Sequence, residues 1–162
     1  MVIREAATEN DISVTVGILL ESDLRKLTRK RYFFDWKSLY GKMDIYKLCL
    51  EEDNDIKGLL AVEDHPHEYR IEVKLIAVSR ENVIFNREKG KKLKQYENIA
   101  ANLLAFAGRI ALTKYSYLGC LSLVPKTQLK PHYIAEYGMK DAGPSVYLDG
   151  SSLQHLVIKY LL

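Results

Sequence analysis

KKLKQYENIAANLLAF, residues 91–106, sets three lysines and a glutamine directly before an apolar helical pattern, and the fold turns on how it is read. Ile99, Leu103, Phe106, Ala107 and Ile110 recur at helical spacing. Ala100, Ala101, Ala105 and Ala111 keep such a helix slim enough to lie closely on a sheet. The spacing predicts a helix over Tyr96–Tyr115. Its N-terminus, preceded by a basic loop, suits an anion, because first-turn N–H groups lack helical acceptors and the dipole end is positive. No glycine stands where the chain must turn; Asn98 does.

Working backwards, Ile45–Glu51, Ile56–Val62 and Arg70–Val78 read as three strands separated by EEDND and EDHPHE, a meander signal. Val2–Ala6 reads as a short strand, and Thr8–Asp11 offers helix caps. The next stretch, ISVTVGILLESDLRKLTRK, fits two periods. Ile12, Val14, Val16 and Ile18 alternate as in a strand, whereas Ile12, Val16, Leu19, Leu20, Leu24 and Leu27 fit a helix, which is the expectation adopted. Working forwards, Gly119–Val124 reads as a buried strand. Thr127–Tyr137 reads as a short helix capped by Thr127 and stopped at Gly138. An irregular strand over Met139–Leu148 and a C-terminal helix with Ser151 and Gln154 as a capping box complete the order. The expected fold is one domain over residues 1–162, a mixed α/β sheet with one βαβ unit from Arg70 through Val124.

Composition narrows the class. The 162 residues are 48% hydrophobic and 28% charged, as in ordinary globular proteins, and no apolar run could span a bilayer. Acids near the N-terminus stand where a signal peptide needs an apolar core, so the expected location is cytoplasmic. Cys49 and Cys120 lie far apart in apolar runs, which reads as two buried thiols rather than a disulfide or a metal site. The net charge of +3 is concentrated in Arg25–Lys37 and Arg87–Lys94; the second run holds Arg87, Lys89, Lys91, Lys92 and Lys94.

With strand, basic loop and slim helix in that order, the chain resembles the GNAT superfamily of acyl-CoA N-acyltransferases. The family signature [RQ]-x-x-G-x-[GA] falls on QYENIA, with Gln95, Asn98 and Ala100 at the three defined positions. Asparagine replaces the usual glycine; it is among the non-glycine residues most tolerant of positive φ. IEVKLIAVSREN resembles the family's fourth strand, and the likeness extends from about Ile45 to Leu148, with VIREAATENDI as a common family opening. The resemblance implies a mostly antiparallel sheet flanked by helices, here with an extra C-terminal helix, and acetyl-CoA as co-substrate without a metal. It implies coenzyme contacts at Ala77, Val78, Lys92, Gln95, Tyr96, Asn98, Ile99 and Ala100.

Acyl transfer to an amine needs a base, stabilisation of the carbonyl oxygen and a proton for the departing thiolate. The resemblance offers Glu72 as base, the backbone N–H of Val78 as oxyanion donor, and Tyr133 as acid, five residues before Gly138, with Tyr137 as its neighbour. Bland readings stand beside these. Arg70, Glu72 and Lys74 alternate as a cross-strand ion-pair row would, and Tyr133 has the spacing of a packing residue. His65 and His67 flank Pro66 in an expected exposed turn, and His132 lies beside Tyr133. In Arg25–Lys37 the cations interleave with Tyr32, Phe33, Phe34 and Trp36. That pattern suits nucleic acid or a protein partner, but an amphipathic segment with aromatics in the core is the preferred reading. The expected partners are acetyl-CoA and an unidentified amine, with a monomer or homodimer and no membrane. The alternative is a non-catalytic GNAT-like module that binds nucleic acid or a protein through its basic surface.

Overall fold

The computed structural model describes residues 1–86, 88 and 90–161; Arg87 and Lys89 of the basic run lie outside the described residues. The chain divides into two compact units, Met1–Leu60 with Ile76–Leu103, and Ala61–Leu75 with Leu104–Leu162.

In the first unit, β1 (Val2–Glu5) pairs antiparallel with β2 (Asp11–Ile18), and β2 with β3 (Asp44–Leu50). The helix expected from Ile12 onward is therefore a strand. Three β-branched residues at every second position, Ile12, Val14 and Val16, resist helical χ1 restriction and suit a half-buried pleat, with Val14 in the core. A 3-10 turn over Glu21–Lys26 follows, opened by Asp23, whose carboxylate accepts from the Leu20 N–H at 2.8 Å and pairs with Lys47 at 2.7 Å. Helix α1 (Arg29–Tyr32) is a single turn capped by Thr28. The aromatic run after it divides: Tyr32 and Trp36 are fully buried, whereas Phe33 and Phe34 are exposed.

Strand β4 (Ile56–His65) and strand β5 (Arg70–Val78) each run from one unit into the other. The basic stretch is not the expected loop. Val83–Asn86 (β6) and Lys91–Lys94 (β7) form an antiparallel hairpin with Val83 opposite Lys94. The two-residue strand β8 (Tyr96–Glu97) then pairs with β1 and leads into helix α2 (Ile99–Tyr115). Strand order in this unit is β4-β3-β2-β1-β8.

In the second unit, β5 pairs in parallel with β9 (Cys120–Leu123), from Arg70 opposite Cys120 to Val73 opposite Leu123, which closes the expected βαβ unit. Helix α3 (Lys130–Tyr137) stops at Gly138, whose φ of 66° supplies the left-handed cap. Thr127 does not cap it: Thr127–Leu129 is a 3-10 turn, and the residue at the cap position of α3 is Leu129. The last strand is in fact a hairpin of β10 (Lys140–Ala142) and β11 (Ser145–Asp149), turned at Gly143 with φ 78°. Helix α4 (Gly150–Leu161) begins before Ser151, which therefore lies inside its first turn. Strand order here is β10-β11-β9-β5-β4.

The seat of α2 depends on one missing side chain. A Cβ at Gly58 in β4 would lie 2.8 Å from both Ile99 Cγ2 and Leu103 Cδ1, closer than real contacts allow. Gly58→Ala is expected to destabilise the protein by about 1–3 kcal/mol through overpacking. Gly17→Ala in β2, where nothing lies within 4 Å of the added carbon, serves as the control. Chemical denaturation of the two variants beside the parent checks this; equal midpoints would contradict the close seat.

Candidate active site

The turn before α2 is built from both sides by buried amides. Asn98, at the residue that opens the helix, has φ 71° and an exposed side chain. Its backbone thus does what glycine's would, at a cost of about 1 kcal/mol or more for a residue bearing a Cβ. Asn102, fully buried one turn on, donates both its backbone N–H (3.0 Å) and its side-chain Nδ2 (2.8 Å) to the Asn98 carbonyl. The same Nδ2 reaches the Val2 carbonyl at 3.0 Å, while Oδ1 is buried without a partner among the described residues.

On the approach to the turn, Asn82 is also buried. Its Oδ1 accepts from the Tyr96 N–H at 2.8 Å and its Nδ2 donates to the Tyr96 carbonyl at 3.0 Å, while its own carbonyl accepts from the Gln95 N–H at 2.7 Å. The segment bearing Asn82 is anchored in turn by α1: Arg31 reaches Glu81 at 2.6 Å and Asp55 at 2.7 Å, and the Arg80 guanidinium lies 4.5 Å from the centre of the Phe33 ring. Phe33 itself holds a φ of 69°, an unusual conformation for so bulky a residue.

Beyond Asn98, the N–H groups of Ile99, Ala100 and Ala101 belong to the first helical turn and have no helical acceptor. Ala100 is half-buried, so small side chains border these donors. The other expected coenzyme residues are placed as follows. Gln95 is half-buried, with its carbonyl accepting from the Ala6 N–H at 2.9 Å. Tyr96 is part of the core: its ring is buried, with the Lys57 ammonium 5.6 Å from its centre, and Asn82 occupies its backbone polar groups. Lys92 is exposed on β7, two residues from the end of that strand. Ala77 and Val78 end β5, past the last residue of its ladder with β9.

The second unit holds both expected acid–base residues. Glu72 on β5 meets His65 Nε2 at 3.0 Å, Arg70 at 3.3 Å and Lys74 at 3.2 Å. Burial pushes its pKa up, but hydrogen bonding and charge from Lys74, joined by Arg70 and His65, outweigh that and hold the carboxyl below its ordinary value. Glu72 therefore lies in the ion-pair row expected of Arg70, Glu72 and Lys74, and it is ionised at neutral pH. Sequence reading missed the partnership with His65, which ends β4. The only available signal was the hairpin geometry that brings the ends of β4 and β5 together. Tyr133 on α3 is half-buried, and burial raises its pKa, which keeps the phenol protonated. Its ring lies 5.9 Å from Tyr137 and 6.0 Å from His132.

No protein-family profile and no curated protein sequence matches the chain. Solved structures do. Mutant forms of the spermidine/spermine N-acetyltransferase of Vibrio cholerae superpose with a TM-score of 0.61 at 16% identity, covering 88% of this chain and 96% of that one. The ribosomal-protein-S18-alanine N-acetyltransferase of Escherichia coli gives 0.55 at 11% identity, over 83% and 91%. An N-acetyltransferase of Staphylococcus aureus Mu50 gives 0.52 at 15%, over 85% and 98%. The chain has the GNAT fold, a mixed, mostly antiparallel sheet flanked by helices.

The charge state of Glu72 has a measurable signature. A carboxyl depressed by its partners stabilises the fold above its ordinary value of 4.5, and that stability is lost as pH falls through the lower folded value. The parent should exceed Glu72→Gln in melting temperature at neutral pH, and the difference should shrink as pH is lowered below 4.5. A pH-independent difference would contradict the assignment.

Proposed function

We propose that the protein is an acetyl-CoA-dependent N-acetyltransferase. The observation that carries the reading is the left-handed backbone of Asn98 at the start of α2. It gives the degenerate signature QYENIA the turn the signature exists to make, ahead of first-turn N–H groups that have no acceptor within the helix and suit a pyrophosphate. In this reading Gln95, Asn98, Ile99 and Ala100 form the pyrophosphate cradle. Tyr96 contributes by holding the approach rather than by its side chain, and Lys92 adds positive charge. Ala77 and Val78 present strand backbone to the pantetheine arm, with the Val78 N–H facing the thioester oxygen. GNAT-fold enzymes of known activity in the comparison transfer acetyl groups to amines, which supports the same reaction class here.

The amine nitrogen attacks the thioester carbonyl carbon, the C–S bond breaks, one amine proton is released to a base and the thiolate takes up a proton. Amine and acetyl-CoA thus yield amide and free coenzyme A. Tyr133, kept protonated by burial, is the proposed acid. Glu72 is the proposed base. Its cation partners make it a weak one, and the hydrogen bond it accepts from His65 Nε2 helps to hold the carboxylate in place. The acceptor is a primary amine of a class not yet assigned.

Exposed Lys91, Lys92 and Lys94 on one hairpin strand favour the second reading, a module that binds nucleic acid through this surface.

Calorimetric titration with acetyl-CoA separates the two. Saturable binding is expected, with a thermal shift that grows with ligand concentration. Salt-sensitive RNA binding with no response to acetyl-CoA up to about 1 mM would overturn the enzyme reading. Ala100→Glu provides a sharper test: an acid in the first turn favours the helix itself but repels a pyrophosphate. Acetyl-CoA affinity should fall about tenfold or more while the melting temperature holds or rises. If binding is established, Glu72→Gln and Tyr133→Phe should each slow release of free thiol from acetyl-CoA in the presence of an accepted amine. Unchanged rates in both would remove those roles.

A further inference from the structure

We infer that Asn82 and Asn102 are positioning residues that together hold Asn98 in its left-handed conformation, so that two buried amides do what a glycine in the signature would do alone. This rests on the reading of the α2 N-terminus as a coenzyme cradle.

Three facts carry it. First, Asn98 bears a Cβ, and its free chain prefers negative φ, so the observed 71° persists only if the surroundings over-determine it. Second, both flanks of the residue are fixed by buried side-chain amides. Asn82 grips Tyr96 two residues upstream through both amide atoms and adds its carbonyl to Gln95. Asn102 takes the Asn98 carbonyl itself with two donors. Third, both are buried, Asn82 at 3% and Asn102 at 0% exposure; replacing the Asn82 amide removes both of its contacts to the Tyr96 backbone, and replacing that of Asn102 leaves the Asn98 carbonyl only the backbone N–H of residue 102.

The geometry also explains why an amide is needed at position 82. Tyr96 offers one donor and one acceptor, and the planar side-chain amide of Asn82 meets them with an acceptor and a donor on adjacent atoms. A carboxylate would still accept from the Tyr96 N–H but would face its carbonyl with a second oxygen. At position 102 the demand is for donors, since both contacts of Nδ2 are carbonyls, those of Val2 and Asn98.

The test is a rescue. Backbone φ at residue 98 is read by the HN–Hα coupling and carbon chemical shifts in isotopically labelled, ligand-free protein, and acetyl-CoA affinity is read by calorimetry. In Asn82→Ala and in Asn102→Ala, residue 98 should leave the left-handed region and affinity should fall about tenfold. Adding Asn98→Gly, which adopts positive φ without strain, should restore affinity to within about threefold of Asn98→Gly alone, whereas a loss from general loosening of the fold would not be repaired. Asn82→Asp, smaller in its perturbation, serves if the alanine variant does not fold and should shift the coupling in the same direction. A residue 98 that stays left-handed in the variants, or an affinity loss that glycine does not repair, would overturn the inference. If the parent protein binds no acetyl-CoA, the coenzyme reading fails instead, and the backbone measurement alone still decides whether the two amides hold the turn.

Discussion

The first unit depends on the approach of α2 to β4 at Gly58. Because position 58 carries only hydrogen, Ile99 and Leu103 occupy the space a Cβ would fill, and both are essentially removed from water. Burying two such side chains contributes about 1.5–3 kcal/mol each, enough to make the helix position a well-defined minimum. The first turn of α2 is thereby fixed relative to its own strand, and everything proposed for the coenzyme follows from where that turn lies. Asn98 must reverse the chain immediately before Ile99, and the two buried amides must hold it there. Had the helix stood off by a methyl group's width, Asn102 could not reach both Val2 and Asn98.

In the second unit the constraint is electrostatic. Glu72 draws two permanent cations and an imidazole to one carboxylate on the row of β5, which gives it order and lowers its basicity together. The low value makes this carboxylate a weak base in the reaction proposed for it. Tyr133 shows the opposite adjustment, since burial among aromatic rings keeps its proton available. The two groups are thus shifted in opposite directions, Glu72 down and Tyr133 up.

The sequence made the meander and the α2 helix legible because their apolar periods are long and unmixed. Residues 12–20 are misread as helix because Ile12 and Val16 satisfy both periods, and pairing with β1 and β3 selects the strand over Asp11–Ile18. The basic run could not be recognised as β7, since KKLK has a single apolar residue and its partner strand supplies the order. At the candidate site, Gln95, Asn98 and Ala100 were found through a motif of fixed spacing. Asn82 and His65 were not, because each acts on a partner brought to it by a hairpin, and neither leaves a pattern in its own neighbourhood. Burial of the Tyr96 ring is likewise invisible in the sequence: the family resemblance implies a coenzyme contact there, whereas the ring lies in the core.

The hairpin of β6 and β7 is closed at its base, where the Gln95 N–H meets the Asn82 carbonyl at 2.7 Å, before the chain reaches the turn at Asn98. Residues 83–94 therefore form a detour whose two ends are already joined. Loop closure costs little more as such a detour lengthens, and its removal would leave Asn82 and Gln95 still in register. The lysine-bearing strand is thus set apart from the turn at Asn98 by a closure that does not depend on the length of the hairpin.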